Sequence, residues 1–289
     1  MSQLLITGAT GQLGSQIVSE LTAKYPIAQL SVLARSSEKG LPFTEKGITV
    51  KIGNYQDPSS LVEAMQGIDS VLLISSSDFN DRIGQHKNVI DAAKAAGVQH
   101  IFYTGVAIKN IETSPLKPLL GDHFETEAYI KQSGLTYTFL RNSLYADVVP
   151  MFIGANVLET GVFFPAGEGK VAFANRNDLA KAIAQIIASN GHENKTYHLT
   201  GSQAHSFSEI ASYLSELSGK EVPYISPSSD DFENALKGFG LPESIITMSV
   251  LFAAGMKNND FEEVDGSLKT FIGQEPTSLK TFLKEAYQL

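Results

Sequence analysis

Apolar runs of strand length recur along the first half of the chain: Leu4–Thr7, Leu30–Leu33, Ile48–Ile52, Val71–Ile74, His100–Thr104 and Thr136–Leu140. Between most of them lie segments that read as helices, Gln12–Lys24, Pro58–Gln66, Arg82–Ala96 and Leu119–Gln132. The runs are apolar at most positions, too uniformly for one wet face, which predicts parallel strands covered on both sides. Gly97 and Gly134 stand just past the last turns of their helices, where a left-handed residue is needed. The alternation predicts an α/β fold, a Rossmann-type doubly wound parallel sheet.

Regularity declines after Arg141. Pro150, Gly154, Gly161, Pro165, Gly167 and Gly169 break up a region rich in Phe and Met. Helices are then expected over Asn177–Ser189, Ser206–Leu217, Ser229–Lys237, Glu243–Met256 and Thr277–Tyr287. Short strands are expected at Val171–Ala174, Thr196–Leu199 and Val222–Ile225. This predicts a nucleotide-binding domain over 1–145 and a smaller, mainly helical C-terminal lobe over 146–289, interleaved with the sheet edge.

Composition narrows the function. The 289 residues hold 22 Lys+Arg against 31 Asp+Glu, a net charge of -9, which disfavours nucleic acid and anionic membrane as partners. Cysteine is absent, which removes disulfides, thiolate metal sites and cysteine nucleophiles and fits a reducing compartment. The uncharged first 19 residues lack a basic leader region and are interrupted by glycines, and Ser244–Met256 is too short to span a bilayer. The expectation is a cytoplasmic protein. Its histidines show no metal-ligand spacing, so no metal site is expected.

The strongest motif is Gly8-Ala9-Thr10-Gly11-Gln12-Leu13-Gly14, which leads from the first strand into the first helix. Gly8 permits a tight turn, Gly11 lets backbone N–H groups approach a pyrophosphate, and Gly14 allows close helix–strand packing. About twenty residues on, an NAD enzyme would carry a carboxylate for the ribose 2′-hydroxyl. Arg35 stands there instead, followed by Ser36, a pairing suited to a 2′-phosphate and hence to NADP(H). Ser75, Ser76 and Ser77 end the fourth strand and Thr104 ends the fifth, both on the edge where open α/β sheets bind ligands.

Short-chain dehydrogenases usually carry a catalytic Tyr-x-x-x-Lys on a helix, and no Tyr here has Lys four residues on. Oxidation of an alcohol by a tyrosinate is therefore disfavoured. No G-x-S-x-G elbow supports a hydrolase. A sugar-nucleotide epimerase or dehydratase would need the missing tyrosine.

Across Thr7–Gly14, Leu72–Ser77, Asn88–Val98, His123–Glu127, Tyr137–Asn142 and Gly191–Tyr197 the chain resembles the NmrA-like, atypical short-chain dehydrogenases. Within that group it is most similar to the bacterial type-2 NAD(P)H:quinone oxidoreductases and the triphenylmethane dye reductases. The resemblance weakens between Asp230 and Glu275. It implies a flavin-free NADPH-dependent reductase acting on a quinone or dye-like small molecule, with the helical lobe covering the nicotinamide. Residues Gly8–Leu13 and Arg35 match the group's NADP-binding positions, and Ser75–Ser77 and Phe139, Leu140, Arg141, Asn142, Ser143 and Leu144 match segments beside the cofactor. A catalytic lysine of the isoflavone-reductase-like enzymes falls at Glu127, a departure that argues against proton-relay chemistry there. An electrophilic acceptor can take hydride directly, and water can protonate the hydroquinone anion.

Asn142 is expected to fix a carboxamide or substrate oxygen and Tyr145 to face a planar acceptor, with Met151, Phe152, Phe163 and Phe164 as an apolar wall or as core. His123 and Glu127 share a helix face, and His123 is a candidate to orient substrate or protonate a reduced oxygen; the alternative is a surface pair, with Glu127 reaching Lys131. His86 is expected to pack. A non-enzymatic NADP(H) sensor of NmrA type is the competing reading, and a homodimer is left open.

Overall fold

A computed structural model describes residues 3–289, which form two compact units. One takes in the chain through Val106, together with Asp122–Arg141 and Leu179–His198. The other comprises Ala107–Gly121, Asn142–Asp178 and Leu199–Leu289.

In the first unit the chain alternates β1 (Leu4–Ile6), α1 (Gln12–Thr22), β2 (Leu30–Ala34), α2 (Ser37–Thr44), β3 (Thr49–Ile52), α3 (Pro58–Ala64), β4 (Ser70–Ile74), α4 (Arg82–Ala95), β5 (His100–Val106), α5 (Lys117–Ser133) and β6 (Thr136–Asn142). After α6 (Val149–Ile153), α7 (Val157–Thr160), β7 (Val162–Phe163), β8 (Lys170–Val171) and α8 (Arg176–Ile187), the strand β9 (Lys195–Leu199) completes a seven-stranded sheet. Its order is β3-β2-β1-β4-β5-β6-β9, and β1 pairs in parallel with both β2 and β4. The chain thus builds outward from β1 in one direction and then restarts beside it, which leaves a topological switch point at the carboxyl ends of β1 and β4. Leu5, Val71, Leu73, Ile101, Tyr103 and Phe139 form one core with Leu61 and Met65 near α3, Val89, Ile90 and Ala93 of α4, and Ile130 of α5. Gly97 and Gly134 adopt φ of 80° and 82°, the left-handed helix ends expected.

Three features depart from the sequence pattern. β3 is exposed or half-buried throughout, because it is the sheet edge and only its neighbour covers it. α2 was not anticipated: Gly40 and Pro42 hide it, yet Gly40 is required, since a Cβ there would meet Val50 Cγ1 at 2.5 Å. β6 runs two residues further than Leu140, so Arg141 and Asn142 end a strand and do not open a loop.

The second unit adds β10 (His205–Ser206), α9 (Phe207–Ser218), β11 (Tyr224–Ile225), α10 (Ser229–Gly238), α11 (Glu243–Lys257), α12 (Ser267–Ile272) and α13 (Leu279–Ala286). Its strands form two-residue pairs only, β8 with β10 and β7 with β11. The expected strand Val171–Ala174 is shortened because Ala172 and Ala174 donate to Phe261 and Leu144, outside any ladder. Phe164 is fully buried against Phe207 and Phe152, ring centroids 4.4 and 5.2 Å away, whereas Met151 is 75% exposed and belongs to no apolar wall. Ser206 and Glu209 close a reciprocal capping box on α9.

Candidate active site

The turn from β1 into α1 is built as its glycines require. Gly8 has φ of 63°, and a Cβ on Gly14 would drive into the Gly8 carbonyl oxygen and within 2.8 Å of Ala9 Cα. Gly11 is the N-cap of α1 and has no side chain to cover the first-turn N–H groups, which remain available to an anion. Thr10, Gly11 and Gln12 are exposed, while Ala9, Leu13 and Gly14 are buried beneath them.

Arg35 follows β2 directly and is exposed, and no ion pair among the described residues engages its guanidinium. Ser36 accepts from Lys39 N at 3.3 Å and thereby caps α2, so its oxygen serves the helix while its own hydrogen can still be donated.

The ends of β4 and β5 are tied by side chains. Ser75 N donates to Thr104 Oγ1 (2.9 Å), Arg82 Nε donates to Ser76 O (2.9 Å), and Ser76 Oγ donates to Gln85 Oε1 (2.8 Å). His86 Nε2 accepts from Ser76 N at 3.0 Å, which places the ring proton on Nδ1 and makes it the donor to Thr126 Oγ1 at 2.8 Å. Burial, reinforced by the Arg82 cation, pushes His86 down to about 3, so this ring is a neutral brace and the packing role expected of it holds. Tyr55, which the sequence reading missed, hydrogen-bonds to Thr7 Oγ1 and donates to Ile74 O (3.1 Å), joining β1 to β4. Ser77 alone of the three serines is exposed.

On α5 the expected surface pair is absent. Glu127 is 4% exposed and holds Arg141 in a bidentate fork, Nε–Oε1 2.8 Å and Nη2–Oε2 2.6 Å; it does not reach for Lys131. The Arg141 guanidinium also lies 5.0 Å from the Phe124 ring. That side chain is thus committed to the fold, and Phe139 and Leu140 are fully buried, so a ligand beside this segment would meet its backbone. His123 is half-buried and its Nδ1 is 2.8 Å from the hydroxyl of Tyr103. Burial, with Arg82 and His86 nearby, holds His123 well below the ordinary histidine range, which disfavours the role of proton donor.

In the second unit Asn142 and Tyr145 meet: Asn142 Nδ2 donates to Tyr145 Oη at 3.4 Å. Two residues missed in the sequence join them. Arg176 lies 4.5 Å over the Tyr145 ring and pairs with Asp147 at 2.9 Å. Asn142 Oδ1, Asp147 Oδ1 and Arg176 Nε are all buried without a partner among the described residues, a concentration of unmet polar atoms that suits a ligand. Burial raises the Tyr145 phenol above its usual value, so it remains a donor. Ser143 and Leu144 are fixed by their backbones, Ser143 N to Leu199 O and Leu144 O from Ala174 N, both 3.0 Å. Only the start of α8 hinted at Arg176, and nothing marked Asp147.

Among the described residues no cluster of three or more His, Asp or Glu could hold a metal, and no helix is long and apolar enough to cross a membrane.

The glycine turn, the switch point and the hydroxyl-lined strand ends define a dinucleotide-binding α/β protein. The chain belongs to the NmrA-like family, which matches residues 1–285. It is 40% identical over 277 residues to quinone oxidoreductase 2 of Escherichia coli (strain K12), covering 96% of each chain. The crystal structure of the NADPH-dependent quinone oxidoreductase of Escherichia coli, complexed with NADPH, superposes with a TM-score of 0.93 at 38% identity, covering 98% of this chain and 99% of that one. The triphenylmethane reductase of Citrobacter sp., complexed with NADP(H), superposes with a TM-score of 0.90 at 36% identity and the same coverage.

Proposed function

We propose that this protein is an NADPH-dependent reductase that passes hydride directly to a quinone or a similarly planar electrophile, without a flavin. The observation that carries the reading is the open glycine turn, in which a Cβ at Gly14 would collide with Gly8 and the first turn of α1 is left uncapped by any side chain. Its similarity to a quinone oxidoreductase and to a dye reductase supports the acceptor class.

Residues Gly8–Gly14 would hold the pyrophosphate, Arg35 the 2′-phosphate, and Ser75–Ser77, Thr104 and the backbone of 141–144 the remainder of the cofactor. When bound, NADPH supplies hydride from C4 of its nicotinamide. Asn142 donates to Tyr145, which leaves the phenol hydrogen open for an acceptor oxygen and Asn142 Oδ1 open for a donor. Arg176 covers one face of the Tyr145 ring, so a planar acceptor would stack on the other. Glu127, at the lysine position of related reductases, is locked to Arg141 and offers no base for a saturated alcohol. The protein therefore acts by positioning, on acceptors that are already electrophilic.

The test is loss of NADPH absorbance with benzoquinone, a naphthoquinone and a cationic dye, with no flavin added. Turnover with these and inertness toward alcohols and sugars is expected. Tight NADPH binding without turnover on any acceptor would favour the sensor.

A further inference from the structure

Two histidines approach the carboxyl ends of β4 and β5, and they are held differently. His86 has both ring nitrogens engaged, whereas no described residue engages Nε2 of His123. Behind His123 stands Tyr103, a phenol with no exposed surface, set edge-on between His86 (5.5 Å) and Phe139 (6.4 Å). The ring is held on both sides, and its hydroxyl lies 2.8 Å from Nδ1 of His123, with the side chains of Thr126 and Ser75 also beside it. Burial raises the phenol above its ordinary value, so it keeps the hydrogen it can donate.

Building on the reductase reading, we propose that Tyr103 is a positioning residue for His123. Its hydroxyl donates to Nδ1, fixes the ring proton on Nε2, and so presents an N–H donor to the oxygen of a bound quinone as that oxygen gains negative charge. The groups facing the imidazole agree with a donor that carries no charge of its own. Arg82 and His86 approach from α4 and Tyr103 from β5; on α5 itself, Asp122 acts on Arg82 and Glu127 is paired with Arg141. A neutral imidazole can polarise a carbonyl in this way. The balance is simple. The quinone gains two electrons and one hydrogen as hydride from the reduced nicotinamide, the resulting oxyanion is stabilised by the Nε2–H bond, and its proton comes from water. A cationic dye that accepts hydride becomes neutral and forms no oxyanion, so the same N–H gives it no advantage.

This asymmetry provides the test. In Tyr103→Phe the buried ring is retained and only the hydroxyl is lost. The ratio of kcat/KM for a quinone to kcat/KM for a cationic dye should fall about tenfold, the scale of one hydrogen bond at the reacting atom. Histidine-selective ¹⁵N NMR reads the same feature without turnover: His123 in the native protein should be the neutral Nε2–H tautomer from pH 8 to 5.5, and Tyr103→Phe should mix the tautomers. A ring protonated on Nδ1 in the native protein, or an unchanged acceptor ratio with turnover intact, would overturn the role given to Tyr103. Failure of the native protein to oxidise NADPH with either acceptor would instead overturn the reductase reading.

Discussion

Arg35, just past β2, and Arg141, near the end of β6, carry the same guanidinium at strand ends of one sheet. Arg35 is exposed and engages no carboxylate among the described residues. Arg141 is held in a fork by a Glu127 that is almost wholly buried. One side chain has a cation to offer a ligand, and the other has its charge neutralised within the fold. His123 and His86 repeat the contrast, the first with an open nitrogen and the second with none. Residue type and position along a strand do not separate the two kinds; partners do.

The largest effect should come from taking the partner away. Glu127→Ala strands a mostly buried guanidinium, and with the remaining solvent access of Arg141 the loss should be about 3 kcal/mol of unfolding free energy in urea. A loss below about 1 kcal/mol would mean that the fork is as weak as a surface pair.

Acid should reveal the closed histidine next. His86 titrates near 6.5 when unfolded and at about 3 when folded, held down by burial and then by Arg82; Tyr103 is the other titratable ring against it. The folded pKa is depressed, so the unfolded chain binds the proton first and stability falls as pH drops below about 6.5, by about 1.4 kcal/mol per unit. Unfolding curves at pH 7 and 5 should differ by about 2 kcal/mol through this group, and His86→Asn should flatten that dependence.

The smallest effect on the fold, and the most selective, belongs to Arg35. Arg35→Ala should leave urea unfolding unchanged and remove most of the preference for NADPH over NADH, about tenfold or more for one charge-assisted phosphate contact. Equal affinities for the two nucleotides in the native protein, by calorimetry, would remove the assignment.

This contrast also marks what could be read from the chain. The sheet and the glycine turn were legible because each rests on local requirements: continuous apolar runs, and glycines where a Cβ has no room. The edge strand β3 and helix α2 were misread or missed because burial depends on neighbours and because Gly40 and Pro42 mask a helical segment. At the site, Asn142 and Tyr145 are three residues apart and could be found together. Arg176 lies about thirty residues further on, and its place over Tyr145 is set by folding of the second unit, which no spacing rule encodes.

The division of the chain into units has a bearing on synthesis. The polypeptide passes from one unit to the other five times, at 106/107, 121/122, 141/142, 178/179 and 198/199. Neither unit is therefore finished while the nascent chain is short. The strand β9 that closes the sheet leaves the ribosome more than fifty residues after β6, its neighbour in the sheet, so the growing sheet must wait with that edge uncovered. Such long-range closure slows folding and exposes strand edges meanwhile, and a single cut in the gene yields no fragment that contains one whole unit and nothing of the other.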